Sequence, residues 1–384
     1  MIDMYTSFTE EIDDVRIAVG ELRERIDAHG LLKNSVGILH CNVDFVESGV
    51  VSGLCAELPF DVIGGTTISA STYGIMSKSV LILTVLTSDV VAFATGVSDK
   101  ASDDASAAMR ELYGRVTDAR TEPPVLLMPF FPHSFKVGGD EFLSFLDEAS
   151  GGVQAFGGFP VSGGHGPDEN FTIYNGEAYE DAAALLALYG DVDPDFFIVS
   201  VDHRNIMKQK AVATIVERNM LKTVNNMPAF EFLKSKGITI NDDVAGLETM
   251  ALIFYPEDGG EMLIRMCMKK TPEGWIVMSG GAPAGSTIAL SVINPDSVIR
   301  SMEEGIWSAL AAARGRGMLM YSCAARFWAL GISGMGEHKK AMECVGKASP
   351  YLLSYSGGEI FPIRRRDGRT VNSLLNDSLI ICVL

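Results

Sequence analysis

The sequence lacks the features that mark exported, zinc-binding or membrane-spanning proteins. Its six cysteines are widely spread, with no CxxC pair and no His/Cys cluster at zinc spacing, which is typical of a reducing compartment. The N-terminus carries acidic residues where a signal peptide has a basic region followed by an apolar run. The most apolar window, 80–97, is interrupted by Ser88 and Asp89, although a bilayer span needs roughly 20 mostly apolar residues. We therefore expect a cytoplasmic protein that does not enter a membrane.

Positive charge is also scarce. The chain has 31 Lys and Arg against 49 Asp and Glu, and its formal net charge is −18. Such a charge repels phosphate backbones and anionic lipids, so we expect neither nucleic acid nor a membrane surface as a partner. The sequence contains no GxGxxG fingerprint and no Gly-Lys-Ser or Gly-Lys-Thr phosphate loop. We therefore predict no cofactor and no metal site.

The overall amino-acid composition is that of a folded protein. Hydrophobic residues make up 47% of the 384 residues and charged residues 21%, which argues against long disordered stretches. The length exceeds the usual span of one compact domain, so two or three domains are expected. Because the pattern changes to hairpin-like strands between residues 196 and 270, we place the boundary at the start of this region. The predicted modules are 1–197 and 198–384.

One succession of strands and helices occurs three times along the chain. The strands that define it are VGILHCNV and DVIGGTT (36–67), VLLMPFF and VQAFGGFP (125–160), and GMLMYSC and YLLSYSGGEI (317–360). The second strand of each pair reaches two consecutive glycines, and we expect these glycines at the same point of each unit. Three units at unequal intervals are too few for a solenoid. The pattern predicts an α/β (α+β) protein of two related modules, with mixed β-sheets covered by helices and internally duplicated β-α-β-β units.

The letters GGDEF at 138–142 are the signature of diguanylate cyclases, which carry them on a β-hairpin. In this chain Phe142, Phe145 and Leu146 follow the three-and-four spacing of a helix face. Asp140 lies near the predicted helix start, where acidic side chains are electrostatically favoured. A short motif without its structural context is weak support for a function. We therefore reject the cyclase interpretation and predict a helix over these letters.

Longer stretches resemble the FIST family, a sensory domain of intracellular signal transduction with an N-terminal and a C-terminal module. The stretches similar to the N-terminal module are GILHCNVDF, ELPFDVIGGTT and VQAFGGFP, and those similar to the C-terminal module are NMLKTVNNMPAFEFLKSKGI, YSCAARFWALG, YLLSYSGGEIFP and LLNDSLIICVL. Ser378 stands where the family's Asn-x-Thr ending has Thr, and it keeps the hydroxyl. The resemblance implies a sensor of small molecules, usually amino acids, often ahead of a signalling output domain. Because the two modules use up the sequence, we expect a stand-alone sensor whose partner would be a signalling protein.

The ligand is expected at the carboxyl ends of the strands, where loops diverge and helix N-termini offer free N–H groups. Cys41 and Cys323 are taken to occupy that position in equivalent units. Arg326 would hold a carboxylate and Glu359 an ammonium group, a pairing that suits a free amino acid. Alternatively, these two side chains form a salt bridge that holds two loops together. The predicted ligand-binding residues are Cys41, Asn42, Gly64, Gly65, Thr66, Gly157, Gly158, Cys323, Arg326, Ser356, Gly357, Gly358 and Glu359.

Two other classes of function stay open. A hydrolase or lyase would use Cys323 or an acid in the cleft between the repeated units. No base lies near Cys323 in the sequence, however, so a buried cysteine acting as a small hydrophobe is the simpler interpretation. A scaffold protein without a ligand is the other class. Because few titrating groups converge on the predicted cleft, the sequence favours binding over catalysis, and we predict no catalytic residue.

Overall fold

The computed structural model describes residues 1–134, 136–162, 169–237, 250–257, 262–365 and 368–384. These residues form 25 strands and nine α-helices, which are distributed along the whole chain. The strands make three sheets of six strands and one sheet of seven. Most sheets combine strands that are distant in the sequence. The predicted mixed α/β fold class is confirmed.

The first repeat unit begins at the N-terminus. Its strands are β1 (Asp3–Thr9), β2 (Asn34–Cys41), β3 (Val62–Thr66), β4 (Ala70–Thr72), β5 (Ile75–Ser77) and β6 (Leu81–Ser88), and its helices are α1 (Val15–His29), α2 (Asp44–Glu47) and α3 (Val50–Glu57). β2 and β3 are parallel, and β6 lies antiparallel between β1 and β2. α1 begins after Asp14, whose carboxylate accepts hydrogen bonds from the backbone N–H groups of Arg16 and Ile17.

The second unit repeats this order. Its strands are β7 (Ala92–Val97), β8 (Leu126–Phe130), β9 (Gly157–Gly158), β10 (Thr172–Tyr174), β11 (Glu177–Tyr179) and β12 (Ala184–Tyr189), and its helices are α4 (Ala105–Thr117) and α5 (Gly139–Ser150). β8 and β9 are parallel, and β12 lies antiparallel between β7 and β8. α5 contains the letters GGDEF from Gly139 onward, so the helix predicted there is confirmed.

The third unit contains a long insertion. Its strands are β13 (Asp195–Val199), β21 (Met318–Cys323), β22 (Tyr351–Ser356), β23 (Glu359–Arg364), β24 (Thr370–Leu375) and β25 (Leu379–Val383), and its helices are α7 (Pro295–Ala313), α8 (Ala324–Leu330) and α9 (Gly336–Val345). β21 and β22 are parallel, and β25 lies antiparallel between β13 and β21. The predicted module boundary at 197/198 lies within β13 and stays a prediction.

The insertion between β13 and α7, which we call the inserted sheet, is antiparallel. Its elements are β14 (Ala211–Glu217), β15 (Met220–Val224), β16 (Met227–Pro228), α6 (Ala229–Ser235), β17 (Met250–Tyr255), β18 (Leu263–Lys270), β19 (Ile276–Met278) and β20 (Thr287–Val292). β14 pairs with both β20 and β15, so the sheet curls back on itself. One face packs with α6, and the other packs on Cys323, Ala325 and Leu330 of the third unit. The hairpin-like strands predicted in this region are therefore present.

The three repeat units exchange hairpins in a ring. β4–β5 of the first unit pairs with β22 of the third, β10–β11 of the second pairs with β3 of the first, and β23–β24 of the third pairs with β9 of the second. Each six-stranded sheet therefore contains four strands of one unit and two strands of another. The units cannot separate without breaking these pairings.

The inner faces of the three sheets enclose one apolar core, while the helices cover the outer faces. At the carboxyl ends of the parallel strands, the rings of His40, Phe130 and Tyr321 meet. Their centroids lie 5.3–6.5 Å apart. Each of these residues comes from the same strand of its unit. The repeat units therefore bring their loop ends together around one axis, as the duplicated pattern predicts.

The pairing of β-strands corrects two details of the predicted repeat. The residues paired across the parallel strands are His40 with Gly65, Phe130 with Gly158, and Tyr321 with Ser354. Leu353-Ser354 therefore occupies the position of Gly64-Gly65, and Gly357-Gly358 lies four residues further on, in the turn before β23. Cys41 is likewise equivalent to Ser322, not to Cys323. The prediction was wrong because identical letters were matched, whereas hydrogen-bond register sets the equivalence.

The segment GGDEF also holds the inserted sheet against the second unit. Both carboxylate oxygens of Asp140 accept from the backbone N–H of Gly281, at 3.0 Å. Glu141 forms a two-pronged ion pair with Arg218, at 2.9 Å from each of its oxygens. Glu141 also accepts from the N–H of Gly138 and so caps α5. The two acids of this segment are therefore used in helix capping and docking.

Candidate functional site

Buried charged side chains gather where the third unit meets the inserted sheet. Arg326 lies in α8, Glu337 lies at the start of α9, Glu359 begins β23, and Asp377 lies in the turn between β24 and β25. Each is at most 2% exposed. Charged side chains are almost never buried unless they are paired or functional. This cluster is therefore the candidate site.

Arg326 is paired with Glu337. Its Nη2 and Nε donate to Glu337 Oε1 at 2.8 and 3.2 Å, and Nη2 also reaches the carbonyl oxygen of Val298 at 3.3 Å. The hydroxyls of Ser322 and Tyr355 donate to Glu337 Oε2 at 2.8 and 2.9 Å. The alternative in which Arg326 forms a salt bridge with Glu359 is therefore wrong. The Nη1 group of Arg326 donates to no residue in the described part of the chain.

Glu359 is held by two hydroxyls. Ser356 Oγ lies 2.7 Å from Oε1, and Ser378 Oγ lies 2.6 Å from Oε2. Burial raises the pKa of Glu359 to about 8, although these hydrogen bonds and the charge of Arg326 oppose the rise. Its carboxyl is therefore mostly protonated at neutral pH. The protonated carboxyl of Glu359 can donate a hydrogen bond to Ser356 Oγ. Ser356 is free to accept it because its own hydroxyl donates to the carbonyl oxygen of Gly358 at 3.2 Å. A neutral acid is poorly suited to the ammonium-binding role predicted for Glu359.

Asp377 is the buried acid of the cluster without a hydrogen-bond partner. Its backbone lies in the left-handed region, with φ +50°, which Asp adopts more readily than most residues. No group among the described ranges donates to its carboxylate. Burial raises the pKa of Asp377 to about 7, with Arg326 lowering it and Glu337 raising it. A buried, unpartnered carboxyl that titrates near neutrality marks a candidate ligand contact.

Arg326 and Asp377 line the same cleft. Its volume is about 230 Å³, which includes open solvent. The rest of its wall comes from residues within 200–205 and 293–301, which are the two connections of the inserted sheet and the first turns of α7. A ligand in this cleft would therefore touch the repeat unit and both connections.

Two other polar side chains of the cleft are already partnered. Asn294 caps α7 by accepting from the N–H of Ser297 at 3.1 Å. Asp202 receives the guanidinium of Arg204 at 2.6 Å, and these hydrogen bonds lower the pKa of Asp202. The carboxylate of Asp202 is consequently ionised and engaged. This leaves Asp377 and the Nη1 of Arg326 as the charged groups with unused hydrogen-bonding capacity in the cleft.

Several predicted site residues of the third unit lie near this cluster. Cys323 is 2% exposed, and burial together with the negative charge of Glu359 raises the pKa of its thiol well above the usual range. Ser356 holds Glu359, as described above. Gly357 lies against the imidazole of His133, where a Cβ atom would overlap the ring, and a Cβ on Gly358 would lie 3.4 Å from Asn376 Nδ2. Cys323, Arg326 and Glu359 are therefore brought together in the interior.

The predicted residues of the first two units serve local structure. Asn42 Oδ1 accepts from the N–H of Asp44 at 2.9 Å, and Thr66 Oγ1 accepts from the N–H of Phe171 at 3.0 Å. Cys41 is buried beneath α1 and α3. A Cβ on either Gly64 or Gly157 would overlap a backbone carbonyl oxygen, that of Leu39 or Pro129. A Cβ on Gly65 would lie 2.6 Å from Pro160, and Gly158 pairs with Glu359 in the sheet.

The sequence prediction missed Asp377, Glu337 and the walls at 200–205 and 293–301. Asn376-Asp377-Ser378 between two apolar strands indicates an ordinary turn, and no local signal shows that it is buried. The sequence does carry a local signal for Arg326 and Glu337, because both lie near the starts of helices that follow β21. In the described ranges, no group of three or more His, Cys, Asp or Glu could hold a metal ion. None of the described helices has both the length and the apolar content to cross a bilayer.

Two family models match the chain. The FIST N domain matches residues 35–227, and the FIST C domain matches residues 213–362. These matches span most of the sequence, and the chain belongs to the FIST family, whose domains are recognised in sensory signal transduction. The predicted resemblance is confirmed.

Other comparisons add no functional information. No curated protein sequence matches the chain. One similar solved structure is described as "Crystal structure of cyanuic acid hydrolase from A. caulinodans". It is 11% identical, the alignment covers 100% of this chain and 98% of that chain, and the TM-score is 0.28. A likeness at this level supports no inference about fold or activity.

Proposed function

We propose that the protein is a cytoplasmic sensor that binds a small zwitterionic ligand, such as a free amino acid, in the cleft of Arg326 and Asp377. The observation that carries this proposal is the unpartnered carboxylate of Asp377 beside a guanidinium with an unused Nη1. One cleft thus offers a cation for the carboxylate of a zwitterion and an anion for its ammonium group. The proposed cytoplasmic location is supported by all six cysteines being unpaired.

The ligand's carboxylate would accept from the Nη1 of Arg326. Glu337 and Val298 already fix the other nitrogen atoms of this guanidinium, so little side-chain entropy is lost when the ligand binds. The ligand's ammonium group would lie against Asp377. This arrangement keeps the zwitterion hypothesis from the sequence, with Asp377 in place of Glu359.

The size of the cleft limits the ligand. The space in the cleft that is open to the centre of a water-sized sphere is about 10 Å³, which holds about one water molecule, and the envelope of about 230 Å³ includes open solvent. A free amino acid would therefore bind only where the connections at 200–205 and 293–301 move apart, and this favours the smallest amino acids. Val201, Ile293 and Val298 supply apolar wall that would contact a short side chain.

Binding and signalling would be linked through the inserted sheet. Because both of its connections line the cleft, a ligand there would constrain how the inserted sheet sits on the third unit. A signalling protein that contacts the inserted sheet would detect the change. The acidic charge of −18 makes nucleic acid and anionic membranes unfavourable partners.

Isothermal calorimetry with a panel of free amino acids tests the proposal. We expect at least one to bind, and we expect Asp377→Asn to weaken that binding by roughly tenfold or more because a charge-assisted contact is lost. Asp202→Asn is the matched control: it makes the same change in the same cleft, but Arg204 already occupies that carboxylate. Equal affinity in the Asp377 variant, or equal loss in both variants, would refute the assigned site. If wild type binds no amino acid, the ligand class is wrong.

A further inference from the structure

Three consecutive side chains at the cleft reach three different parts of the molecule. Asn376, Asp377 and Ser378 are each at most 2% exposed. The Oδ1 of Asn376 accepts from Ser279 Oγ of the inserted sheet at 2.6 Å. Asp377 lines the cleft, and Ser378 donates to Glu359, the first residue of the exchanged hairpin β23–β24. One turn therefore contacts the cleft, the inserted sheet and the hairpin.

The Asn376 contact is specific. Its Nδ2 is buried and has no hydrogen-bond partner in the described ranges, so the bond from Ser279 alone orients this amide. Ser279 is in turn tied to β18, because its N–H donates to the carbonyl oxygen of Met266 and its Oγ accepts from the N–H of Met266, both at 3.0 Å. A displacement of Asn376 would consequently act on β18.

A second bond joins the same two elements. Arg265, next to Met266 in β18, is 4% exposed, and its Nε donates to the carbonyl oxygen of Gly281 at 2.8 Å. Its Nη1 reaches the carbonyl oxygen of Leu374 in β24 at 3.4 Å. The end of β24 and the start of the turn are thus held to β18 by two side chains, Arg265 directly and Ser279 through its bonds to Met266.

We propose that the turn Asn376-Asp377-Ser378 transmits occupancy of the cleft to the inserted sheet. This inference rests on the function proposed above and adds a route by which it is regulated. Asp377 is held in a left-handed conformation between its two bonded neighbours. A ligand that draws its carboxylate into the cleft therefore moves Asn376 and Ser378 with it. The bond from Ser279 passes this shift to β18.

A mutant cycle in the ligand-free, full-length protein tests the relay. Hydrogen exchange of residues 263–278, which comprise β18 and β19, is followed by mass spectrometry at about pH 8, above the pKa of Asp377. Asp377→Asn removes a buried charge, so we expect it to slow exchange in this segment by roughly threefold or more. In a Ser279→Ala background the same substitution should leave this segment unchanged. If Ser279→Ala does not fold, Asn376→Ala breaks the same bond from the other side.

Ser291→Ala is the matched control. Ser291 is a fully buried serine of the inserted sheet, and its hydroxyl has no hydrogen-bond partner within the described residues. The slowing caused by Asp377→Asn should persist in this background. Slowing of equal size in the Ser279→Ala background, or no slowing with Ser279 present, would overturn the relay. Because no ligand is added, these outcomes are independent of whether an amino acid binds.

Discussion

Glu359 and Asp377 are both buried acids, but they differ in the groups that reach them. Glu359 is hydrogen-bonded to two serines, and burial still raises its pKa to about 8. Asp377 has no such bond and faces the cleft, and burial raises its pKa to about 7. Satisfied hydrogen bonds make Glu359 a structural residue. The unused capacity of Asp377 makes it available to a ligand.

The raised pKa of Glu359 predicts a pH dependence of stability. The folded protein keeps this proton to about pH 8, whereas the unfolded chain releases it near its ordinary pKa of 4.5. The folded state binds more protons between these values, so the free energy of unfolding falls as pH rises through this window. The substitution Glu359→Gln keeps the shape of the side chain but removes the carboxyl group that titrates. We expect it to reduce that fall by on the order of 1–3 kcal/mol.

Denaturant titrations of both proteins between about pH 5 and pH 8 measure this effect, and linear extrapolation yields the free energy of unfolding at each pH. An identical pH dependence in wild type and Glu359→Gln would show that Glu359 ionises normally in the folded state. In Asp377→Asn, the free energy of unfolding is expected to vary less with pH in the lower part of the same window, because the pKa of Asp377 is raised to about 7 in the folded protein.

Cys323 is predicted to be chemically inert in the folded protein. Burial and Glu359 raise the pKa of its thiol, and the thiolate is the reactive form. Alkylation by iodoacetamide below about pH 8, followed by mass spectrometry, should therefore leave Cys323 unmodified. The half-buried Cys344 provides an internal comparison. Modification of Cys323 at the rate of Cys344 would revive the hydrolase or lyase interpretation.

Arg326 could be predicted from the sequence, but Asp377 could not. Arg326 follows a buried strand and starts a helix, and a cation at that place is a local signal. The cleft around Asp377 is formed by the two connections of the inserted sheet and the first turns of α7, which lie far away in the sequence. The ammonium-binding role predicted for Glu359 requires an ionised carboxylate, and nothing in the local sequence shows that burial raises the pKa of this group.

At the scale of elements, close backbone approach explains two of the predicted glycines. A side chain on Gly64 or Gly157 would overlap the neighbouring parallel strand at Leu39 or Pro129. Neither glycine has a positive φ, so the constraint is space and not backbone conformation. The sequence repeat identified these positions correctly in the first two units. Their role is to bring β2 against β3 and β8 against β9.

Gly64→Ala is expected to lower the free energy of unfolding by on the order of 3 kcal/mol, because the backbone must shift to admit the methyl group. Gly20→Ala is the control. Gly20 lies in α1 with no atom within 4 Å of an added Cβ, so this change should stabilise the protein by about 0.5–1 kcal/mol. Denaturant unfolding compares the two. A Gly64 variant as stable as wild type would refute the packing argument.

The local sequence pattern predicted which segments form helices and strands more readily than it predicted which strands pair with each other. Helical spacing in 139–150 predicted α5, and apolar runs predicted the parallel strands. The sequence did not predict which strands pair with the hairpins β4–β5, β10–β11 and β23–β24. Each pairs with a strand of another unit, and such pairing depends on contacts distant in sequence.

At the scale of the whole molecule, hairpin exchange makes the three repeat units one framework. The inserted sheet is added to this framework at the third unit, and its connections line the cleft. Ser279 and Arg265 bond it to the end of β24 and the turn that follows, and α5 docks on it through Asp140 and Glu141. A ligand in the proposed cleft would therefore act where the inserted sheet joins this framework. The site belongs to the third unit alone because the first two units carry no insertion between the equivalent elements.

The most direct test of this account is the number of protons released when an amino acid binds. At about pH 7 the carboxyl of Asp377 is roughly half protonated, because burial raises its pKa to about 7. An ammonium group bound beside it would ionise it fully. Calorimetric titrations in buffers of different ionisation enthalpy should show release of about half a proton per ligand in wild type and none in Asp377→Asn. Binding without proton release in wild type, or equal release in both proteins, would contradict the account.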